Sequence, residues 1–336
     1  MNDAHRQLLS GNAAAQHQSP LFGKLPGEVR SQIFALALSD YPDPDPDHQY
    51  ATETCYTRPS YFAPRKTDTE LLRTCRAVYT ECWHMPFALR EQMHWVTDAA
   101  RAPPGSESLQ LRQRLAHIAE LQGETEIGSL RIFAQMYMLE EGKVATLLAT
   151  PFLHPRTVTL TIRHADWWYW ETDDPLYFEG SWIEGFCDAM SSSVREVHVE
   201  LESLERKKQQ VDDIAKQMAE RWCFKRRDGV VLYADATKGA AQVSRWSGTS
   251  TWLEERWVRD ETEPGRIDYY VVTVSFRPEI VLERQGGSIG ERARKTARRG
   301  YSDTSRLKLH LPEATRMSYR NPSIYVGTPE PPVHTS

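Results

Sequence analysis

Two short stretches, TVTLTIRH at 157–164 and VREVHVEL at 194–201, set the strongest limit on what this chain can fold into. Successive side chains leave a strand on opposite faces. In the first stretch Val158, Leu160 and Ile162 therefore point one way, and Thr157, Thr159 and Thr161 the other. In the second, Val197, Val199 and Leu201 face inward, and Glu196, His198 and Glu200 face outward. Both read as half-buried strands. Between them WIEGFCDAM places Trp182, Ile183, Phe186, Cys187 and Met190 on one helical face. The unit is long enough for a parallel crossover. It could also be one rung of a degenerate leucine-rich array, but no fixed repeat period supports that.

Further elements extend the sheet. GRIDYYVVTVSFRP carries Ile267, Tyr269 and Val271 on one face, and Tyr270, Val272, Val274 and Phe276 on the other. Apolar residues on both faces predict a central strand. DGVVLYA supplies another. LESLERKKQQVDDIAKQMAERWCF predicts the clearest helix, with Leu204, Val211, Ile214, Ala215, Met218 and Trp222 as its stripe and its lysines and arginines mostly on a solvated face. Leu111, Leu115, Ile118 and Gln122 outline a second helix; Leu130, Phe133, Ala134, Tyr137 and Met138 outline a third, which Gly142 should break. Residues 105–280 thus read as a mixed α/β domain with a twisted sheet and flanking helices. The fold class is α+β, with a small N-terminal helical element packed on that domain and disordered ends.

Residues 1–18 are polar, lack sustained periodicity and are expected to be disordered. LFGKLPGEVRSQIFALAL then predicts an amphipathic helix. Pro26 suits a first turn and Glu28 the positive end of the helix dipole. Leu25, Val29, Ile33 and Ala37 recur every four residues, and Phe34 and Leu38 widen the stripe. Alternating Pro and Asp make Asp40 to Asp47 a stiff exposed stretch within a loop at 40–67. DTELLRTCRAVYTECW resumes the helical pattern, capped by Asp68, with Leu71, Leu72, Cys75, Val78, Tyr79 and Cys82 on one face.

LPGEVRSQIFALAL resembles the opening of an F-box, and its pairing with the later LLRTCRAVYTE helix is similar to a group of fungal F-box-like proteins, mostly of unknown function. The resemblance covers two blocks, Leu25 to Leu38 and Leu71 to Trp83, within an F-box-like element at 19–100. It implies that Leu25, Pro26, Val29, Ile33 and Phe34 dock on a Skp1-type adaptor. It also implies that the chain recruits an unknown target protein to a cullin-type ubiquitin ligase. The other use of such a helix is to close the domain's own core.

Composition narrows the function classes. A chain of 336 residues suggests one large domain or two at roughly 100–200 residues each. A formal charge of -5 supplies no whole-chain reason to expect nucleic acid. The longest apolar run, Ile33 to Leu38, falls far short of the ~20 residues a membrane span needs, and no leader pattern opens the chain. Five cysteines without C-x-x-C spacing argue against a disulfide framework or a zinc site, and fit reduced thiols in a cytoplasmic or nuclear protein. Residues 281–336 read as a flexible tail, basic and then proline-rich. Arg284 to Lys308 holds eight basic residues against Glu291 and Asp303, a local charge of +6. Arg292, Arg294, Lys295, Arg298 and Arg299 are its core, suited to nuclear import or to RNA or acidic partners.

The remaining feature is TIRHADWWYWETDD at 161–174. It begins where a strand ends, the place where α/β proteins hold ligands. His164 with Asp166 has the pattern of a general base and its orienting acid, and Trp167, Trp168 and Trp170 could stack on a flat ligand or cage a cation. Burying a tryptophan also suits a core corner, but a turn cannot bury all three. The nucleophile or metal set that a reaction needs is missing, as are H-E-x-x-H, G-x-S-x-G, the P-loop and G-x-G-x-x-G. No cofactor is expected. The favoured reading is a non-enzymatic intracellular protein-interaction module, an F-box-type receptor with His164, Asp166, Trp167, Trp168, Trp170 and Glu171 as its recognition surface. The alternatives are a small-ligand-binding protein or unrecognised hydrolase using the His164, Asp166 and tryptophan cluster, and a structural nuclear protein.

Overall fold

The computed structural model describes residues 3–11, 14, 16–105, 109–237 and 242–311. Eight strands make the main sheet: β1 (Gln92–Val96), β2 (Ile127–Ala134), β3 (Pro155–Ile162), β4 (Glu196–Leu204), β5 (Cys223–Lys225), β6 (Val231–Ala234), β7 (Gln242–Thr249) and β8 (Arg266–Pro278). The order runs β1-β2-β3-β4-β8; the far edge of β8 takes β7 along one stretch and β6 along the next, with β5 beyond β6. The first four strands are parallel, and β8 runs antiparallel to β4. The α+β class holds, and β8 is the central strand that its two apolar faces predict.

The helices of seven or more residues among the described residues are α1 (Asp3–Ser10), α2 (Gly27–Ala37), α3 (Arg76–Cys82), α4 (Leu109–Gln122), α5 (Ile183–Ala189), α6 (Lys208–Arg221) and α7 (Glu291–Arg299). The crossover from β3 to β4 passes through α5, as the alternation requires. One sheet face carries Ile132, Leu160, Val199 and Val274 into a core shared with Ile183, Phe186, Val211, Ile214 and Met218 of the helices. Aromatic side chains bind this core together. Phe178 meets Trp222 edge-on at 5.1 Å and Phe224 meets Phe276 at 4.8 Å, within the range where such pairs add to simple area burial.

A separate small core holds Phe34, Leu38, Val78 and Cys82, so α2 and α3 pack on each other. Arg30 reinforces the contact through Glu81 at 3.1 Å. The second block is not one helix: a 3-10 turn at Glu70–Arg73 precedes α3, and Cys75 between them is fully extended.

Several expectations need correction. The stretch at 127–134 is strand β2 and not part of a helix: Leu130, Ile132 and Ala134 alternate into the core, whereas Leu130, Phe133 and Ala134 also match a helical spacing because Phe133 is buried on the other face. Leu204 ends β4 and does not join the α6 stripe. The threonine face of β3 is not solvated: Thr159 and Thr161 are buried, and Thr161 donates to Glu200 at 3.2 Å. Strand β7 was not expected, since its residues are mostly exposed and show no alternation. The N-terminal 18 residues include α1, whose His5 meets Trp83 edge-on at 4.6 Å.

The stretch expected to be a flexible basic tail is folded as far as Leu311. Ala293, Tyr301, Leu307 and Leu309 are buried, and Leu309–His310 pairs with Tyr177–Phe178. Leu307 lies so close to Gly180 that a Cβ there would overlap it. Residues 312–336, including the proline-rich end, lie outside the described residues. Trp222 is the joint between core and tail: it has no exposed surface, and its Nε1 donates to Leu307 O at 2.7 Å. Trp222→Ala should cost about 3–5 kcal/mol in chemical unfolding. It should also raise amide exchange selectively at 301–311; unchanged exchange there would show that the tail is held elsewhere.

Candidate functional site

The polar sheet face is covered by the return limb of the 40–67 loop, whose ends are tied where Asp40–Pro42 pairs with Arg65–Thr67. Arg58, carried in by this loop, is buried, and its Nη2 lies 3.1 Å from both Glu200 and Glu202 of β4. Arg131 of β2 reaches Glu200 at 3.2 Å, Thr161 at 2.9 Å and Glu91 at 3.1 Å. Burial works against the charge on Glu200, but Arg58 and Arg131 outweigh it and hold the carboxyl below its ordinary value. Tyr61 of the loop meets Phe133 edge-on at 5.5 Å, and Trp95 stacks on Phe133 at 4.0 Å. The loop is therefore a lid of arginine and aromatic side chains over a buried ionic layer.

The corner at 163–174 continues that layer. Arg163 turns back on Asp166 through two hydrogen bonds, 2.6 and 3.0 Å, and ties in the loop by donating to Cys55 O at 3.0 Å. Asp166 is thus committed to Arg163, and the expected His164–Asp166 pair does not form. His164 instead places Nε2 3.7 Å from Asp260, beyond hydrogen-bond reach, with its ring edge-on to Trp170. Asp260 is buried between Arg206 at 2.6 Å and Arg259 at 2.9 Å. Burial opposes its charge, but His164 and Arg259 overcome that and hold its carboxyl well below the usual range.

The residues expected to form a recognition surface divide. His164, Asp166, Trp167 and Trp170 are buried, Trp168 is half-buried, and Glu171 is exposed. Trp167 donates to Glu202 O at 2.8 Å, and Trp170 packs on Trp257 at 4.5 Å. These two tryptophans are core, because each has found a flat partner or an acceptor inside. Trp168 is the one the turn cannot bury, and its Nε1 reaches Glu140 at 2.9 Å. Tyr169 beside it is 55 % exposed in a left-handed conformation.

Between the lid, the corner and strand β7 lies a chamber of about 370 Å³ lined by Cys55, Arg58, Phe62, His164, Trp246 and Trp252 among others. Trp246 stacks on Tyr269 at 4.3 Å and donates to Glu202 at 2.8 Å. Three of the lining side chains carry a buried nitrogen without a hydrogen-bond partner: Arg58 Nη1, His164 Nε2 and Trp252 Nε1. Arg58 and Trp252 can only donate, so the chamber suits an acceptor-bearing occupant. Burial pushes the Cys55 thiol up, away from thiolate character. Among the described residues no three His, Cys, Asp or Glu side chains stand together as a metal set.

In the N-terminal element Leu25 is half-buried, and Pro26, Val29 and Ile33 are exposed. Phe34, expected to meet an adaptor, is corrected to core: it is wholly buried on Val78 and Cys82. Of the basic residues, Arg292, Lys295 and Arg299 share a cleft, Arg294 turns away to Glu279 at 2.6 Å, and Arg298 is exposed. Sequence reasoning missed Arg58, Arg131, Arg163 and Asp260, since isolated charges far apart in the chain look solvated. The signal within reach was Glu200 and Glu202 on one face of a strand that is apolar on the other.

No protein-family model matches the chain, and no curated protein or solved structure is significantly similar to it. No helix among the described residues is long and apolar enough to cross a membrane.

Arg58→Ala should destabilise the protein by about 3–5 kcal/mol, because it leaves the buried Glu202 without its cation and Glu200 with Arg131 alone. The pH dependence has a defined sign. The folded-state pKa of Glu200 lies below its ordinary 4.5, so its contribution is full above that value and is lost as pH falls through the lower folded one. Urea midpoints should drop on acidification for the wild type and drop less for Glu200→Gln; equal slopes would remove the ionic layer as a source of stability.

Proposed function

We propose that this chain is a non-enzymatic protein-interaction module of F-box type, which docks α2 on a Skp1-type adaptor and positions a target protein for a cullin ubiquitin ligase in the cytoplasm or nucleus. One observation carries the reading. Val29, Ile33 and Leu36 are 39 %, 40 % and 80 % exposed, and at i, i+4 and i+7 they lie on one face of α2. An ordinary surface helix turns such a stripe inward. Here Phe34 and Leu38 take the inward positions, which leaves α2 anchored from behind with an apolar face open. Pro26, exposed at its start, continues that face. The absence of a His164–Asp166 pair argues against the hydrolase alternative.

The test uses purified full-length chain and a purified Skp1-type adaptor in isothermal titration. Wild type should bind, and Val29→Asp/Ile33→Asp should lose binding while its unfolding free energy changes by less than about 1 kcal/mol, the substituted positions being exposed. No binding by the wild type, or equal binding by the variant, would overturn the reading.

A second reading rests on the chamber: its unpaired donors and aromatic walls fit a small apolar or aromatic carboxylate. Trp252→Phe keeps a ring and removes one donor, so affinity for an aryl carboxylate should fall by about five- to tenfold. If the variant binds as tightly as the wild type, Trp252 does not hold the ligand.

A further inference from the structure

The basic segment that reads as a solvated tail folds into a cleft of about 550 Å³, walled by the end of α6, one face of α7 and the turn at 300–307. Arg292, Lys295, Thr296 and Arg299 stand at i, i+3, i+4 and i+7, so they share the α7 face that lines it. Arg221 enters from the end of α6, and Arg306 from the turn. Asp303 is the single carboxylate lining the cleft among the described residues, and it is held by Arg306 at 2.6 Å. Among the described residues no carboxylate forms an ion pair with four of the cations, Arg221, Arg292, Lys295 and Arg299.

This arrangement is costly unless something neutralises it. Arg221 donates Nη1 to Lys308 O at 3.1 Å, but its Nε is buried without a partner. Burial and the like charge of Arg292 both push its proton affinity down. Ala293, wholly buried on another side of α7, fixes how the helix is turned about its axis and so keeps its cations facing the cleft. A solvated face would spread its charges; this one gathers them around a concavity of ligand size.

We propose that this cleft binds a compact polyphosphate, a small molecule with at least two phosphate groups. Two phosphomonoesters carry about -3 to -4 at pH 7, which matches the four unpaired cations. Arginine binds phosphate oxygens in a bidentate fork, and the Ser302 hydroxyl lines the same cleft. A long polyanion fits less well, because the chain as a whole carries -5 and repels whatever extends beyond the cleft. The site is separate from α2 and from the chamber, and it stands whether or not the chain docks on an adaptor.

The test is calorimetric titration of the full chain with tripolyphosphate, against sulfate at matched ionic strength. Tripolyphosphate should bind and sulfate should not. Arg292→Gln/Lys295→Gln should weaken binding by about tenfold or more, whereas Arg284→Gln/Arg298→Gln, which removes the same charge outside the cleft, should change it by less than about twofold. All four positions are exposed, so unfolding midpoints should stay together and exclude misfolding as the cause. ATP and inositol hexakisphosphate should each displace tripolyphosphate; either order of strength supports the class and indicates its carrier. Heat no greater than with sulfate, equal weakening by both double variants, or tighter binding of a single-stranded RNA through the same residues would overturn the proposal.

Discussion

The bridge from Arg58 to Glu200 and Glu202 is the contact on which the rest of this architecture depends. It joins a loop near the N-terminus to the middle of the sheet, across more than a hundred residues of sequence. Two carboxylates on a strand under a covering loop would be severely destabilising alone. Arg58 and Arg131 supply the compensating charge, Thr161 donates to the Glu200 carboxylate and Trp246 to that of Glu202. Because charge and hydrogen bonding must be satisfied together, the loop has one seating. That seating also shapes the chamber and orders the corner at 163–174, where Arg163 ties back to Cys55.

The two ends of the chain follow different physics. At the N-terminus, α2 is anchored by two buried side chains and leaves its regular stripe outside, so its stability comes from a small core and its open face is available for contact. At the C-terminus, the described residues are drawn inward by Trp222, Leu307 and Leu309, and docking of that segment is what gathers its arginines into one cleft. Charges that repel along a flexible chain are forced together once the apolar side of α7 is buried.

The sheet was legible where periodicity is unambiguous. The alternation in β3 and β4 and the doubly apolar β8 announce their places, because the period of a strand is two and burial selects the apolar face. Strand β2 was not legible, since Phe133 on its second face gives Leu130, Phe133 and Ala134 a helical spacing that competes with the alternation of Leu130, Ile132 and Ala134. Strand β7 was not either, as an exposed edge carries no burial signal. Of the aromatic corner, the sequence showed that one tryptophan could not be buried, but not that it is Trp168. Asp166 was placed beside His164 by proximity in sequence, whereas a guanidinium one residue earlier competes more strongly for a carboxylate.

By itself, then, the sequence determined the class of fold, the crossover from β3 to β4 and the lack of an apolar run long enough for a membrane-spanning helix, all of which follow from local period and apolar length. Only the tertiary structure decided which face of α2 is open, where the carboxylates of β4 find their cations, and that the basic segment is a cleft. The reason is the range of the interactions: hydrophobic periodicity is written over a few turns or residues, but a buried charge is compensated by whatever side chain the whole fold brings beside it.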